Sequence, residues 1–467
     1  MTGLAWSGIA RLGIVQACLG AIVVLTTSTL NRIMVVEHAL PAVLPGFLVA
    51  MHYLVQITRP RMGHGSDLSG RRTPWILGGM VLLACGGVVA ALATVWMAHE
   101  RVAGICLALV AFVMIGLGVS ASGTSLLAML AKRVDERRRA GAATLVWMMM
   151  IAGFAVTAGI CGKLLDPYSA TRLLMVSSTV SVMAVLLTML ALYGLERNNA
   201  PLAEVLPTAT ADTPTAHERH DFRTALREVW AEPTARRFTL FVFVSMLAYS
   251  AQDLILEPFA GTVFSMTPGQ TTQLSGLQHA GVLLGMILVA LSGALNARFG
   301  HVRALRHLGS LQAWTLGGCL ASALALMGLV AAGAAGPGWP LPANVFILGV
   351  ANGAFSIGAI GSMMRLAGQG QNGREGMRMG LWGAAQALAF GLGGLLGSAA
   401  SDLARLLIGT TGTAYGAVFF FEALMFLVSA GMAWRIGQPS SEKDVRASRE
   451  FSQHARVQTF TDMAKQG

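Results

Sequence analysis

Twelve stretches of about twenty mostly apolar residues are the feature that most constrains this 467-residue chain. A hydrocarbon core of ~30 Å needs about that length of helix to cross it. The stretches run roughly over residues 12–32, 41–58, 74–97, 102–124, 141–163, 170–194, 238–260, 274–297, 308–333, 343–364, 378–400 and 412–434. Of all residues, 54% are hydrophobic and only 12% charged, against ~25% charged in a typical soluble domain. With a mean hydropathy of +0.63, such a chain cannot hide its apolar surface from water. It is read as an all-α polytopic membrane protein.

The N-terminus does not read as a cleavable signal. Arg11 precedes some twenty apolar or small residues with no small-residue cleavage site, so this stretch is taken as the first span. Of the 33 lysines and arginines, only Arg32, Arg101, Lys163, Arg172 and Arg405 fall on the outer side or within spans. The others sit at the termini or near the loops after spans 2, 4, 6, 8 and 10. Those loops, and both termini, are therefore expected to be cytoplasmic. The net charge of +11 is explained by this bias and by anionic lipid headgroups, without nucleic acid. The five cysteines lie in apolar runs and form no CxxC, so they read as packing residues.

The longest loop divides the spans six and six. Expected units are an N-terminal bundle (1–195), a cytoplasmic linker (196–237), a C-terminal bundle (238–437) and a disordered tail (438–467). The linker's first half is rich in Pro, Thr and Ala and reads as disordered. DFRTALREVWAEP in its second half has the pattern of a short amphipathic surface helix. The halves look duplicated. GHGSDLSGRRTP follows span 2 and GALNARFGHVR follows span 8. Gly63 and Gly70 align with Gly293 and Gly300, Asp67 with Ala297, and Leu68 with Arg298. Gly63-x3-Asp67-x2-Gly70-Arg71-Arg72 resembles the loop motif of the major facilitator superfamily, departing from it at Leu68, where an Arg is usual. The expected fold is major-facilitator-like, with twelve helices in two pseudo-symmetric six-helix bundles.

Longer stretches carry a narrower resemblance. They are VVLTTSTLNRIMVVEHALPAVLPG (Val23–Gly46), RPRMGHGSDLSGRRTPWILGG (Arg59–Gly79), GTSLLAMLAKRVDERRRAGAATLVWMMMIAGFAVTAG (Gly123–Gly159), QDLILEPFAG (Gln252–Gly261) and GREGMRMGLWGAAQALAFGLGG (Gly373–Gly394). They resemble the PucC/LhaA-like, or bacteriochlorophyll-delivery, family. The resemblance implies bacteriochlorophyll as cargo or ligand. It also implies light-harvesting antenna polypeptides and a chlorophyll synthase as partners, in the photosynthetic inner (intracytoplasmic) membrane of a bacterium.

Polar groups inside the spans are the candidate site. Span 1 ends on Asn31, Arg32 and Glu37, and its repeat partner, span 7, on Gln252, Asp253 and Glu257. A charge in a membrane needs a partner. An Arg32–Asp253 ion pair latching the two halves is one expectation. Arg32 snorkelling and pairing with Glu37 in its own segment is the other. His52 in span 2 and His279 in span 8, with His38 beside span 1, are candidate axial ligands for a chlorin magnesium. The plainer reading makes them satisfied interior histidines. Gln16, Gln56 and Gln386 read as interhelical hydrogen-bonding groups. Glu422 sits in FFFEALMF, either protonated or facing a partner helix. GLGGLLG (Gly391–Gly397) reads as a close-packing motif and not a dinucleotide loop. No phosphate loop, catalytic triad or zinc spacing is present, so the chain is expected not to be an enzyme.

Three functions compete on these grounds. One is an assembly factor that binds bacteriochlorophyll and delivers it to nascent antenna polypeptides. Another is a proton- or gradient-driven transporter of a small apolar solute. The third is a non-transporting scaffold for pigment-synthesis enzymes. The outer clustering of Glu37, Asp253 and Glu257 and the scarcity of tyrosine, five in all, lean toward an apolar cargo.

Overall fold

The computed structural model describes residues 4–59, 62, 71–196, 230–299, 310–368 and 375–436. Among these, eleven helices are long and apolar enough to cross a membrane, and Val43–Thr58 is a shorter apolar one. In chain order they are α1 (Trp6–Glu37) and α2 (Val43–Thr58), then α3 (Thr73–Trp96), α4 (Arg101–Arg133), α5 (Glu136–Leu164) and α6 (Ala170–Leu192). After the linker come α7 (Pro233–Val263), α8 (Pro268–Phe299), α9 (Leu311–Ala335), α10 (Leu341–Gly368), α11 (Glu375–Leu407) and α12 (Thr411–Ile436). Local chemistry marks the ends. Pro74, Pro233 and Pro268 stand in first turns, where a missing N–H costs nothing. Ser169 and Ser310 cap α6 and α9 with their hydroxyls. Gly336, at φ +66°, stops α9 in a conformation that suits glycine.

Helix α1 departs most from expectation. It starts at Trp6 and continues past Arg32 to Glu37. Two π turns, Leu25–Thr29 and Ile33–Glu37, flank a short α segment, Leu30–Arg32. Such wide turns often mark functional segments.

Two large apolar cores form, and a small third cluster, Ile151, Val282 and Met286, lies where α5 meets α8. The first gathers Leu12, Ile22, Leu83, Phe112 and Leu126 from α1, α3 and α4. The second gathers Phe238, Phe259, Phe355, Phe419 and Phe426 from α7, α10 and α12. Small residues hold neighbours at backbone distance. A β-carbon at Gly79 would press on the Ser122 nitrogen, and one at Gly318 on the Phe355 nitrogen.

The halves are joined by α2 against α11, α5 against α8, and the end of α1 against α7 and α8. These contacts lie toward the face opposite the basic loops. Near the basic end, α4 makes no comparable contact with the second half among the described residues. Among the described residues, the hydrogen bonds that join the halves gather toward the far face.

Candidate functional site

At the far face, the end of α1 is knitted into α7 and α8. The knot begins with a proline. Pro258 lies inside α7 and has no N–H, so the Leu254 carbonyl one turn earlier loses its helical donor. Asn31 Nδ2 of α1 supplies it, 2.7 Å away. One turn back, the Ser28 hydroxyl donates to Glu257. The Thr29 and Thr272 hydroxyls meet at 3.0 Å. Glu257, Asn31 and Arg32 are all at most 2% exposed, and Gln252 is fully buried with neither amide atom hydrogen-bonded.

The expected Arg32–Asp253 ion pair is not formed. Arg32 pairs with Glu37 and donates its other terminal nitrogen to the Met266 carbonyl at 2.7 Å. The cause is the second π turn. His38 N reaches back five residues to Ile33 O at 3.1 Å, so residues five apart stack on one face. Glu37 thereby lies over Arg32. Gly261 of α7 leaves the room, since a β-carbon there would stand 3.0 Å from Arg32 Nε. Asp253 is half-buried and makes no ion pair with Arg32. Arg32 still links the halves, through Met266.

Two further carboxylates close the far face, and the sequence reading did not single them out. Asp402 of α11 accepts from the Ala42 and Val43 N–H groups at 3.0 and 2.8 Å, at the start of α2. Asp166, just after α5, accepts from the Thr267 hydroxyl at 2.7 Å. Thr267 opens α8 in a capping box, its hydroxyl accepting from Gln270 N (3.2 Å) while Gln270 Oε1 accepts from Thr267 N (3.0 Å). Helices α2 and α8 are six apart in chain order, as are α5 and α11. The two sites are thus the same device used twice, a carboxylate set on the positive end of a helix from the other half.

The candidate ligand histidines differ sharply. His52 is 2% exposed, its Nε2 lies 2.9 Å from Gln56 Nε2, and its Nδ1 is buried without a partner. Gln56 is held in turn by Arg59. Neither His52 nitrogen can reach a ligand. His279 is half-buried on α8. Its Nδ1 lies 2.8 Å from the Ser275 carbonyl, which can only accept, so Nδ1 carries the proton and Nε2 keeps its lone pair. Phe154 of α5 packs edge-on against it, with ring centroids 5.0 Å apart. Tyr53, Phe390 and Tyr249 form an aromatic chain across the halves, with centroid spacings of 5.6 and 5.9 Å. His38 ends α1 with Nε2 buried and unpartnered. Among the other interior polar groups, Gln16 donates to Met150 Sδ at 3.2 Å. Glu422 is 1% exposed with neither carboxyl oxygen hydrogen-bonded.

Of the loop motif, Gly63, Asp67, Gly70, Gly300 and the Arg298 side chain lie outside the described residues. Gly293 meets open space, and Arg71 is exposed. Arg72 is 7% exposed and donates to Ala128 O at 2.6 Å. The backbone of Arg72 and Thr73 donates to the Glu196 carboxylate at 2.7 and 3.2 Å, capping α3 from the end of the first half. Burial alone would raise the Glu196 pKa, but these donors and the nearby Arg133 outweigh it and hold the carboxyl below its usual range. A lowered folded-state pKa stabilises above the unfolded value and is lost as pH falls through the folded one. The wild-type melting temperature should therefore fall below about pH 4.3, the usual glutamate value. Glu196→Gln should melt lower at pH 7 and lose much of that acid slope. Parallel slopes in melts from pH 3 to 7 would count against the cap.

Comparison with known proteins places this geometry. A family model described as PUCC protein matches residues 29–440. The chain is 53% identical over 433 residues to the bacteriochlorophyll synthase 44.5 kDa chain of Rhodobacter capsulatus, covering 92% of this chain and 95% of that one. It is 30% identical over 432 residues to protein PucC of Cereibacter sphaeroides, covering 88% of each. Among solved structures, a bacterial homologue of the human lysosomal transporter Spinster, inward-facing and occupied, superimposes with a TM-score of 0.67 at 14% identity, over 93% of this chain and 97% of that one. A peptide transporter POT in complex with sulfate gives a TM-score of 0.63 at 14% identity, over 92% and 95%. The fold is that of the major facilitator superfamily, in a multi-pass bacterial membrane protein. The expectation that the chain is not an enzyme does not stand, because a relative sharing half its residues is named as a synthase chain, which points to an enzyme-associated role. With the family model spanning both halves and relatives aligned nearly end to end, the chain belongs to the PUCC protein family.

Proposed function

We propose that the protein takes up bacteriochlorophyll between its halves and delivers it to nascent antenna polypeptides in the photosynthetic membrane, working beside the synthase that completes the pigment. Family membership and the synthase chain among its relatives support this reading. The observation that carries it is His279. Its Nδ1–H is fixed on a backbone carbonyl and its Nε2 is left free beside an aromatic ring. Metal-binding histidines are usually oriented in just this manner by the partner of the other nitrogen. A chlorin magnesium lacks one axial donor, and Nε2 would supply it. The aromatic chain Tyr53–Phe390–Tyr249 offers apolar faces to a flat macrocycle.

The test is pigment retained on mild solubilisation from a photosynthetic host. His279→Leu should lower bound bacteriochlorophyll on the order of tenfold or more, the scale of losses at metal-ligand shells. His52→Leu should keep the pigment if the protein folds, because that imidazole is already engaged. Equal pigment in wild type and His279→Leu would remove the reading. The antenna step has its own readout. Deletion of the gene should abolish antenna complexes while pigment synthesis continues.

A further inference from the structure

Glu257 is the most confined acid at the junction of the halves. It is 2% exposed. One carboxyl oxygen accepts from Ser28, and the other has no hydrogen-bond partner. Thr271, fully buried, lies one turn before the buried Ser275 on α8. Ser28 Oγ and Ser275 Oγ lie 3.2 Å apart. Thr271 gives its proton to the Pro268 carbonyl at 3.1 Å, which leaves its lone pairs available. Ser28 itself lies on the first π turn of α1, where Leu30 N reaches back to Leu25 O.

The local charge does not balance. Arg32 is the nearby cation, and Glu37 neutralises it. Asp253, one turn back on α7, adds another, half-buried carboxyl group. A buried carboxylate without a counter-charge is costly in a membrane. Three hydroxyls and a carboxylate make an all-oxygen donor set, which suits a hard cation. Glu257 itself brings one unmatched negative charge, which calls for a single positive one beside it. For a cation with bonds of ~2.4 Å, neighbouring ligand oxygens stand about 3.4 Å apart, close to the Ser28–Ser275 separation.

We infer that Ser28, Glu257, Thr271 and Ser275 form a sodium site. Its ligands come from α1 in the first half and from α7 and α8 in the second. Occupancy therefore favours the arrangement in which the far face is closed, because only there do both sets of ligands meet. The site goes beyond pigment handling: it links closure of the fold to a cation gradient, and it makes no use of His279.

The experiment uses the full-length protein in detergent at fixed pH and ionic strength, with sodium replaced by choline. Thermal melting and titration calorimetry with sodium chloride are the readouts. Wild type should show a saturable rise in melting temperature with sodium and none with choline. Ser275→Ala keeps the carboxylate and should weaken the apparent sodium affinity at least tenfold. Glu257→Gln should abolish the response. Should Glu257→Gln fail to fold, Ser275→Ala and Thr271→Val decide between them. Identical melting of wild type in sodium and choline means that a proton balances Glu257, and overturns the site. A wild-type sodium response in all variants that fold overturns it as well.

Discussion

Replacing both Asp166 and Asp402 with alanine should open the far face. Each carboxylate sits against the start of a helix from the other half, directly on the Ala42 and Val43 N–H groups in one case and through the Thr267 cap in the other. A charge at a helix N-terminus contributes ~0.3–1 kcal/mol, and up to about 2 in partly buried settings. Loss of both removes about 1–4 kcal/mol from the closed arrangement alone, or roughly a fivefold to thousandfold change in its population. The sites lie 236 positions apart on different helix pairs, so their effects should add, with each single variant giving about half. Spin labels at Val43 and Leu406, both exposed on the helices that Asp402 joins, report the distance directly. Wild type should give one short distance, and the double variant a broadened, longer distribution. An unchanged distribution would show that packing, and not these carboxylates, closes the face.

Neither acid announces its role in the sequence. Apolar runs and the placement of arginine betray a span and its orientation from composition alone, and the helices lie where those runs lie. Asp402 reads in sequence as an ordinary polar residue near a span end. Its meaning depends on the Ala42 amide, 360 positions away, and on which helices the fold makes neighbours. Asp166 is equally mute until Thr267 is beside it. The ends of α1 and α7 were expected to meet from the repeat, and they do, through Asn31 on the Leu254 carbonyl. That contact was within reach of sequence reasoning, because a proline in a helix always leaves an acceptor one turn back. The Arg32 partner was not. Which carboxylate Arg32 reaches depends on a π turn, and no residue pattern specifies one. Of the three candidate histidines, His52 and His279 stand on helices that are repeat partners, and His38 lies beside α1. His52 and His279 separate only on what each ring nitrogen touches, Gln56 in one case and a backbone carbonyl in the other.

The largest loss of stability should come from a glycine in the second half. Gly281 and Gly285 of α8 face Gly349 and Gly353 of α10, each pair four residues apart in its helix. A β-carbon at Gly353 would overlap the Val282 carbonyl, one at Gly349 the Gln278 carbonyl, and one at Gly285 the Val350 carbonyl. Backbone lies against backbone, so no side chain can turn away to make room. Overpacking a core ordinarily costs ~1–3 kcal/mol. Here two helix axes must separate, so Gly353→Leu should cost at least the upper end of that range. Folded protein recovered by size exclusion should fall severely, and whatever remains should melt well below wild type. Gly431→Leu on α12 is the control, since nothing lies within 4 Å of a β-carbon there. Wild-type melting of Gly353→Leu would show that α8 and α10 can part freely. The seam matters beyond stability because α8 carries Thr271, Ser275, Gln278 and His279. Gly349→Ala adds a single carbon and presses on α8 at the residue just before His279. It should lower pigment retention more than its effect on melting would suggest.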